Sequence, residues 1–189
     1  MRKITFLSLC LSVFISFSSC TKEKTNPPIV NPPQEQPPTV VYSEWMEESS
    51  LTWSDTLINS EPNTRAVLNA SGLTQSTIDN GAVLIYARTN SDASVRIFPA
   101  MILDANNSDY EMYQSFPIAE SFELLHSKFV NGVFETPTVS NNISFRYIYL
   151  ENVPPANGRI NTGAATGLNM EDLKAMSYQD VAILLSIPN

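Results

Sequence analysis

Ile143-Ser144-Phe145-Arg146-Tyr147-Ile148-Tyr149-Leu150 is the stretch that decides the fold class. In an extended chain, successive side chains point to opposite sides. Ile143, Phe145, Tyr147 and Tyr149 therefore form one stripe, with Arg146, Ile148 and Leu150 opposite. β-Branched and aromatic residues at that period mark a strand. A second run, Ala82-Val83-Leu84-Ile85-Tyr86-Ala87, is apolar almost without a break. Such a run predicts a strand covered on both faces.

Working outward, Val40–Trp45 opens with β-branched and aromatic residues and predicts a strand. Ser94–Ile102 alternates less cleanly, and Pro99 assigns its far end to an edge or a bulge. In Tyr110–Phe116, Tyr110, Met112, Gln114 and Phe116 share a face. In the next strand, Phe122, Leu124 and His126 do the same. Asn131-Gly132, between Phe129-Val130 and Val133-Phe134, is a hairpin signal, because a type I′ turn needs positive φ at both central positions. Helical signals are few. Thr74 can cap a turn or two up to Asn80, with Gly81 as the stop. Asn169–Ala175 and Ser177–Ser186 read as helices, and Ser177 with Asp180 imitates a capping box. Leu173, Ala182, Leu184 and Leu185 would face the sheet. The fold expected is mostly β: an antiparallel β-sandwich of about seven strands with a short C-terminal helical cap.

The 189 residues divide unevenly. Arg2 and Lys3 precede a mostly apolar stretch, Ile4–Phe17, too short to span a bilayer. Phe17-Ser18-Ser19-Cys20 resembles a bacterial lipobox, with Phe17 where Leu is usual. In that reading residues 1–19 are a lipoprotein signal peptide, and Cys20 takes the acyl chains, palmitate among them. Several chains make a durable anchor, because each buried CH₂ adds about 0.8 kcal/mol. Cys10 leaves with the signal, so the mature chain keeps no thiol, disulfide or Cys ligand. Residues 20–39 hold six of the 13 prolines. Their paired prolines favour an extended tether reaching on the order of 60 Å at about 3.1 Å per residue. The domain is then 40–189, large enough for one core. Without Arg2 and Lys3, nine basic side chains face 19 acidic ones, a net charge near −10. That excess argues against nucleic acid, whose phosphates need clustered Lys and Arg.

Tyr42-Ser43-Glu44-Trp45, Leu73-Thr74-Gln75 running into Asp79-Asn80-Gly81-Ala82-Val83-Leu84-Ile85-Tyr86, and Phe145-Arg146-Tyr147-Ile148 carry a resemblance. The series is similar to that of a group of Bacteroidota lipoproteins, which also end in a short helix with a Tyr near its start, like Tyr178. Glu44 replaces an Asp of that pattern, and Leu150-Glu151-Asn152 replaces a Pro-Gly-Gly turn. The resemblance covers most of residues 42–189. It implies the domain boundaries and the cellular source; Thr21 after the lipid cysteine, where Asp is the usual inner-membrane retention signal, leaves an outer-membrane, lipid-anchored location as the expectation, on the surface or periplasmic face. It implies no activity.

The parts of known catalytic sites are scarce. There is no mature Cys, no Gly-x-Ser-x-Gly elbow and a single His, His126, whose alternation with Leu124 and Phe122 predicts a partly buried place on a sheet face. One His and no Cys make a zinc site improbable. Asp104, Asn106 and Asp109 resemble the start of a calcium loop, but Asp109 stands where Gly is needed and Ser115 where Glu is. A polar Asn/Asp loop accounts for them equally well. Glu44, Glu47, Glu48, Glu111, Glu120, Glu123 and Glu135 offer carboxylates for glycoside hydrolysis, with nothing to say which pair faces a cleft. Thr162–Gly167 is glycine-rich but lacks the Lys-Ser/Thr of a phosphate loop. Asp55-Thr56-Leu57 resembles the Bacteroidota O-glycosylation tripeptide, which makes Thr56 a candidate acceptor. Trp45 and Trp53 are candidates for glycan stacking, with Trp53 expected in a loop; filling the core is the alternative for both. The expected function is a lipid-anchored envelope protein without catalysis or cofactor, binding a glycan or an envelope protein or serving a structural role. The alternatives are a glycan-binding accessory module and a carboxylate-dependent glycoside hydrolase.

Overall fold

The computed structural model describes residues 38–80, 83–90, 94–103, 109–152, 160, 165 and 167–188. The expected signal peptide, the tether up to residue 37, Asp104, Asn106 and the loop 162–167 apart from Ala165 and Gly167 lie outside the described residues. Among the described residues, no helix is long and apolar enough to cross a membrane.

The strands are β1 (Thr39–Tyr42), β2 (Met46–Glu47), β3 (Trp53–Ile58), β4 (Glu61–Asn69), β5 (Val83–Thr89), β6 (Val95–Ile97), β7 (Ala100–Leu103), β8 (Tyr110–Ile118), β9 (Ser121–Val130), β10 (Val133–Glu135) and β11 (Ile143–Glu151). A 3₁₀ turn (Glu48–Ser50) and three short helices, α1 (Gln75–Asn80), α2 (Met170–Ala175) and α3 (Tyr178–Leu184), complete the elements. They form two antiparallel sheets. One has the order β1-β11-β5-β6, with β2 also on β11. The other has the order β3-β4-β9-β8-β7, with β10 on β9. The fold is a mostly β, antiparallel sandwich with short C-terminal helices, as the alternation predicts.

The β11 sheet is the middle layer of three. Register puts Phe145 opposite Ala87 and Tyr147 opposite Ile85. These side chains face the β9 sheet, where Leu68, Tyr113, Phe122 and Leu124 close the core. On its other face Leu84, Tyr86, Ile148 and Leu150 pack under Leu173, Tyr178, Val181 and Leu185 of the helical segment. The unbroken apolar run through β5 thus has the physical cause expected of it. Both of its faces are covered. Each of the last two helices starts where a side chain satisfies its free N–H groups. Asn169 and Asp172 form a reciprocal capping box, and Ser177 accepts from the Asp180 amide. Thr74 Oγ1 likewise accepts from the Thr77 amide at the start of α1.

Three details depart from the expectation. Among the described residues there are eleven strands, not about seven; two of the additional ones form a hairpin over 53–69 that its polar sequence hides. Its turn, Asn59-Ser60, reaches positive φ at 52° and 70° without a glycine, and Pro62 sits within β4. Ser94–Ile102 is not one strand. β6 and β7 lie at the edges of different sheets, with the cis Phe98-Pro99 bond between them. Trp53 opens β3 and is not in a loop. The Asn131-Gly132 turn does join β9 to β10, with φ of 50° and 86°.

Candidate functional site

The chain passes from the β11 sheet to the β9 sheet through the 3₁₀ turn that follows β2. This crossover drops Glu48 between the sheets, where it is fully buried. Its carboxylate meets His126 of β9, also fully buried: Oε1 lies 3.1 Å from Nδ1. On the other side of the ring, Nε2 lies 3.5 Å from Oε2 of Glu111 on β8. Both are close charge contacts, but neither ring nitrogen aligns well enough for hydrogen-bond geometry. Tyr113, opposite His126 in the β8–β9 register, stacks on the imidazole at 4.1 Å. Its hydroxyl lies 3.1 Å from Glu48 Oε1 and 3.3 Å from Glu111 Oε2. The other Glu48 oxygen, Oε2, accepts from the Ser140 amide at 2.8 Å and from its hydroxyl at 3.1 Å. Trp53 Nε1 donates to the Glu48 carbonyl, and its ring packs edge-on against His126.

Burial opposes a charge on His126, but the flanking Glu111 and Glu48 carboxylates outweigh it and raise its pKa above 6.5. The contact to His126 lowers the pKa of Glu111 against the opposing effect of burial, with help from Lys128. Burial, then the charges of Glu48 and Glu111, push Tyr113 far upward, so it stays a neutral donor. His126 thus stands between two carboxyl groups that favour its charged form, a buried pairing rather than an isolated buried ion.

Glu111 and Ser140 connect this array to a cleft. At the end of the sandwich away from α1, an open cavity of about 490 Å³ is lined by Glu111, Lys128, Glu135, Tyr110, Phe129 and Ser140, among others. The β8–β9–β10 register sets Lys128 between Glu111 and Glu135. Charged and polar side chains set among aliphatic ones give this opening the character of a small-ligand site. Among the described residues, no group of three or more His, Cys, Asp or Glu side chains could hold a metal ion.

The predicted site residues are scattered relative to this cleft. Of the seven carboxylates, Glu48 and Glu111 converge on His126, and Glu135 joins the cleft wall. Glu123 pairs with Arg65 on the outer face of the β9 sheet instead. Asp109 lines the cleft and accepts from the Asn131 amide at the β9–β10 turn. The other calcium candidates, Asp104 and Asn106, lie outside the described residues. Trp45 is half-buried on the helical side, with the Arg88 guanidinium 4.3 Å from its ring centroid and Tyr178 against its edge. Trp53 is engaged with His126 and Phe145. Both indoles have core partners. Thr56 sits half-buried on the edge strand β3. His126 is more buried than its alternation suggested, and it pairs with charges rather than with hydrogen-bond partners.

Sequence reasoning missed Glu48, Ser140 and Tyr113 as a set. Glu48 and Ser140 lie in connections with no periodicity, separated by 92 residues. The only sequence signal was His126 itself, a titratable group on an inward-facing stripe. Compared with protein-family models, curated proteins and solved structures, the chain matches none.

Proposed function

We propose that this is a lipid-anchored protein of the bacterial outer membrane, held through Cys20, with a non-catalytic binding or structural role. The end cleft is its binding surface. The observation that carries this reading is the cavity of about 490 Å³, lined by Glu111, whose carboxyl a buried imidazole holds below its usual range. A fixed charge in an open cleft suits a glycan or a polar segment of an envelope protein. The likeness to Bacteroidota lipoproteins supports the anchor and the compartment.

The test is a polysaccharide panel, followed by mobility in affinity gels and by Trp fluorescence. Retardation by a glycan that Glu111→Gln and Lys128→Ala abolish is the expected result. No change in mobility or emission across the panel would remove the glycan reading and leave a protein partner or a structural role. For the anchor, a fatty-acid analogue should label the wild-type chain; Cys20→Ala that still partitions into membranes would contradict it. One observation favours a hydrolase as the second reading, namely that two of the candidate carboxylates meet. Glycoside hydrolysis, however, needs substrate between them. Here His126 and Tyr113 occupy that space, and Glu48 has no exposed surface. A hydrolase would lose activity on some glycan when Glu111→Gln is made.

A further inference from the structure

We infer that Glu48, His126 and Ser140 form a pH-sensitive latch: protonated His126 holds the Glu48 carboxylate between the sheets, Glu48 holds the 136–142 connection against the cleft, and loss of the imidazole proton releases that wall. This goes beyond the binding reading and stands whatever the cleft binds.

The geometry is a chain of contacts running from core to surface. His126 is wholly buried and 3.1 Å from Glu48, which is wholly buried too. The same carboxylate takes both hydrogen bonds that Ser140 offers. Ser140 and Asn142 are cleft residues on the connection between β10 and β11. Side-chain bonds to a buried carboxylate therefore tie this wall to the core. When the proton leaves, Glu48 stays buried beside a neutral ring. A buried charge without its partner is strongly unfavourable, and hydration by opening the wall is the relief nearest to hand.

The groups around the ring leave few rivals for this role. From the 3₁₀ turn comes Glu48, and from β8 come Glu111 and Tyr113. Trp53 of β3 brings no charge. From β4, Thr64 lies opposite His126 in register, its buried hydroxyl without a hydrogen-bond partner among the described residues. Asp55, opposite Thr64 on β3, is exposed. On β9 itself Lys128 shares the face two residues on, and it acts on Glu111. Glu135 of β10 lies opposite Lys128. Among the described residues two acids touch the ring and no base does, so proton loss at higher pH leaves repulsion between Glu48 and Glu111. The direction of the His126 shift agrees: the ring holds its proton past the ordinary histidine range before the latch opens.

The chain has one histidine, so a single imidazole resonance reports the switch. Its titration is to be followed by NMR beside hydrogen exchange of the Ser140 amide, taken as a ratio to the Ala70 amide. Ala70 is bonded to the Glu120 carbonyl, far from His126 in sequence, and the ratio cancels the intrinsic pH dependence of exchange. The expected result is one common midpoint above pH 6.5, with the ratio rising by about tenfold as the ring loses its proton. In His126→Gln the ratio should not change with pH. A ring that keeps one protonation state between about pH 5 and 10, or a ratio that stays level while the ring titrates, would overturn the latch. Should the variant not fold, the wild-type co-titration decides alone.

Discussion

At His126, burial and charge pull in opposite directions, and the two carboxylates win. This has a consequence for stability. A group whose folded pKa is raised contributes stability that is complete below its unfolded value, about 6.5, and is lost as pH rises through the folded value. Glu111 behaves oppositely: its lowered pKa contributes stability above the unfolded value of 4.5, lost as pH falls through the folded one. Urea unfolding followed by Trp fluorescence should therefore show greatest stability between those two values, with a decline on each side. His126→Gln should flatten the alkaline limb, and a wild-type profile level from neutral to alkaline pH would contradict the pairing. Glu48→Gln keeps an acceptor for Ser140 but removes the nearest counter-charge from a buried imidazolium. Removing one partner of a buried pair costs about 3–5 kcal/mol, and Glu111 retains part of the compensation, so the lower end, roughly 3 kcal/mol, is expected by denaturant titration near pH 6. Replacing the whole set with apolar residues should be milder, since no charge then stays buried alone.

The elements are held by two kinds of turn, and glycine separates them. Gly132 completes the β9–β10 hairpin at φ +86°, with open space where a Cβ would be. Gly72, at φ +94°, precedes α1, and a Cβ there would stand 3.0 Å from the Tyr149 hydroxyl. That hydroxyl donates to the Ser71 carbonyl. Gly132→Ala should cost only the left-handed backbone penalty, about 1–2 kcal/mol. Gly72→Ala adds a crowded contact and a disturbed hydrogen bond, so its loss should be larger by roughly 1 kcal/mol. Thermal unfolding of the pair checks this, and equal losses would show that the Tyr149 contact yields freely. At this scale the sequence was readable where local chemistry rules. The Asn131-Gly132 hairpin and the Asn169 and Ser177 helix starts need only neighbouring residues. The β3–β4 hairpin was hidden because β4 begins Glu61-Pro62-Asn63-Thr64. Pairing with β3 throughout, joined by β9 from Thr64 onward, holds that segment extended, not its own propensity.

Across the whole molecule, the helical segment and the β9 sheet share the middle layer between them. Leu84, Tyr86, Ile148 and Leu150 pack under the C-terminal helices and their flanks. Arg146, on the same face, is buried and donates to the carbonyls of Ser43 and Pro188 and to the Tyr178 hydroxyl. A chain ending at residue 167 would uncover this apolar face and take Tyr178 and Pro188 from the guanidinium, leaving it the Ser43 carbonyl. It should aggregate or bind a hydrophobic dye such as ANS, measured beside the full chain; a soluble, dye-silent product would show that the cap is dispensable.

The sequence by itself determined the fold class, because a period of two with aromatic and β-branched residues is a local property of the chain. It also determined that β5 is covered on both faces, since an unbroken apolar run has no solvent side. Only the tertiary structure decided the site. Glu48, Tyr113, His126 and Ser140 belong to four separate segments. What unites them is the crossover between sheets and the β8–β9 register, and neither leaves a mark on any one segment. Seven carboxylates looked alike in the sequence. Burial distinguished one, Glu48, whose charge between two sheets requires a partner, and His126 supplies it.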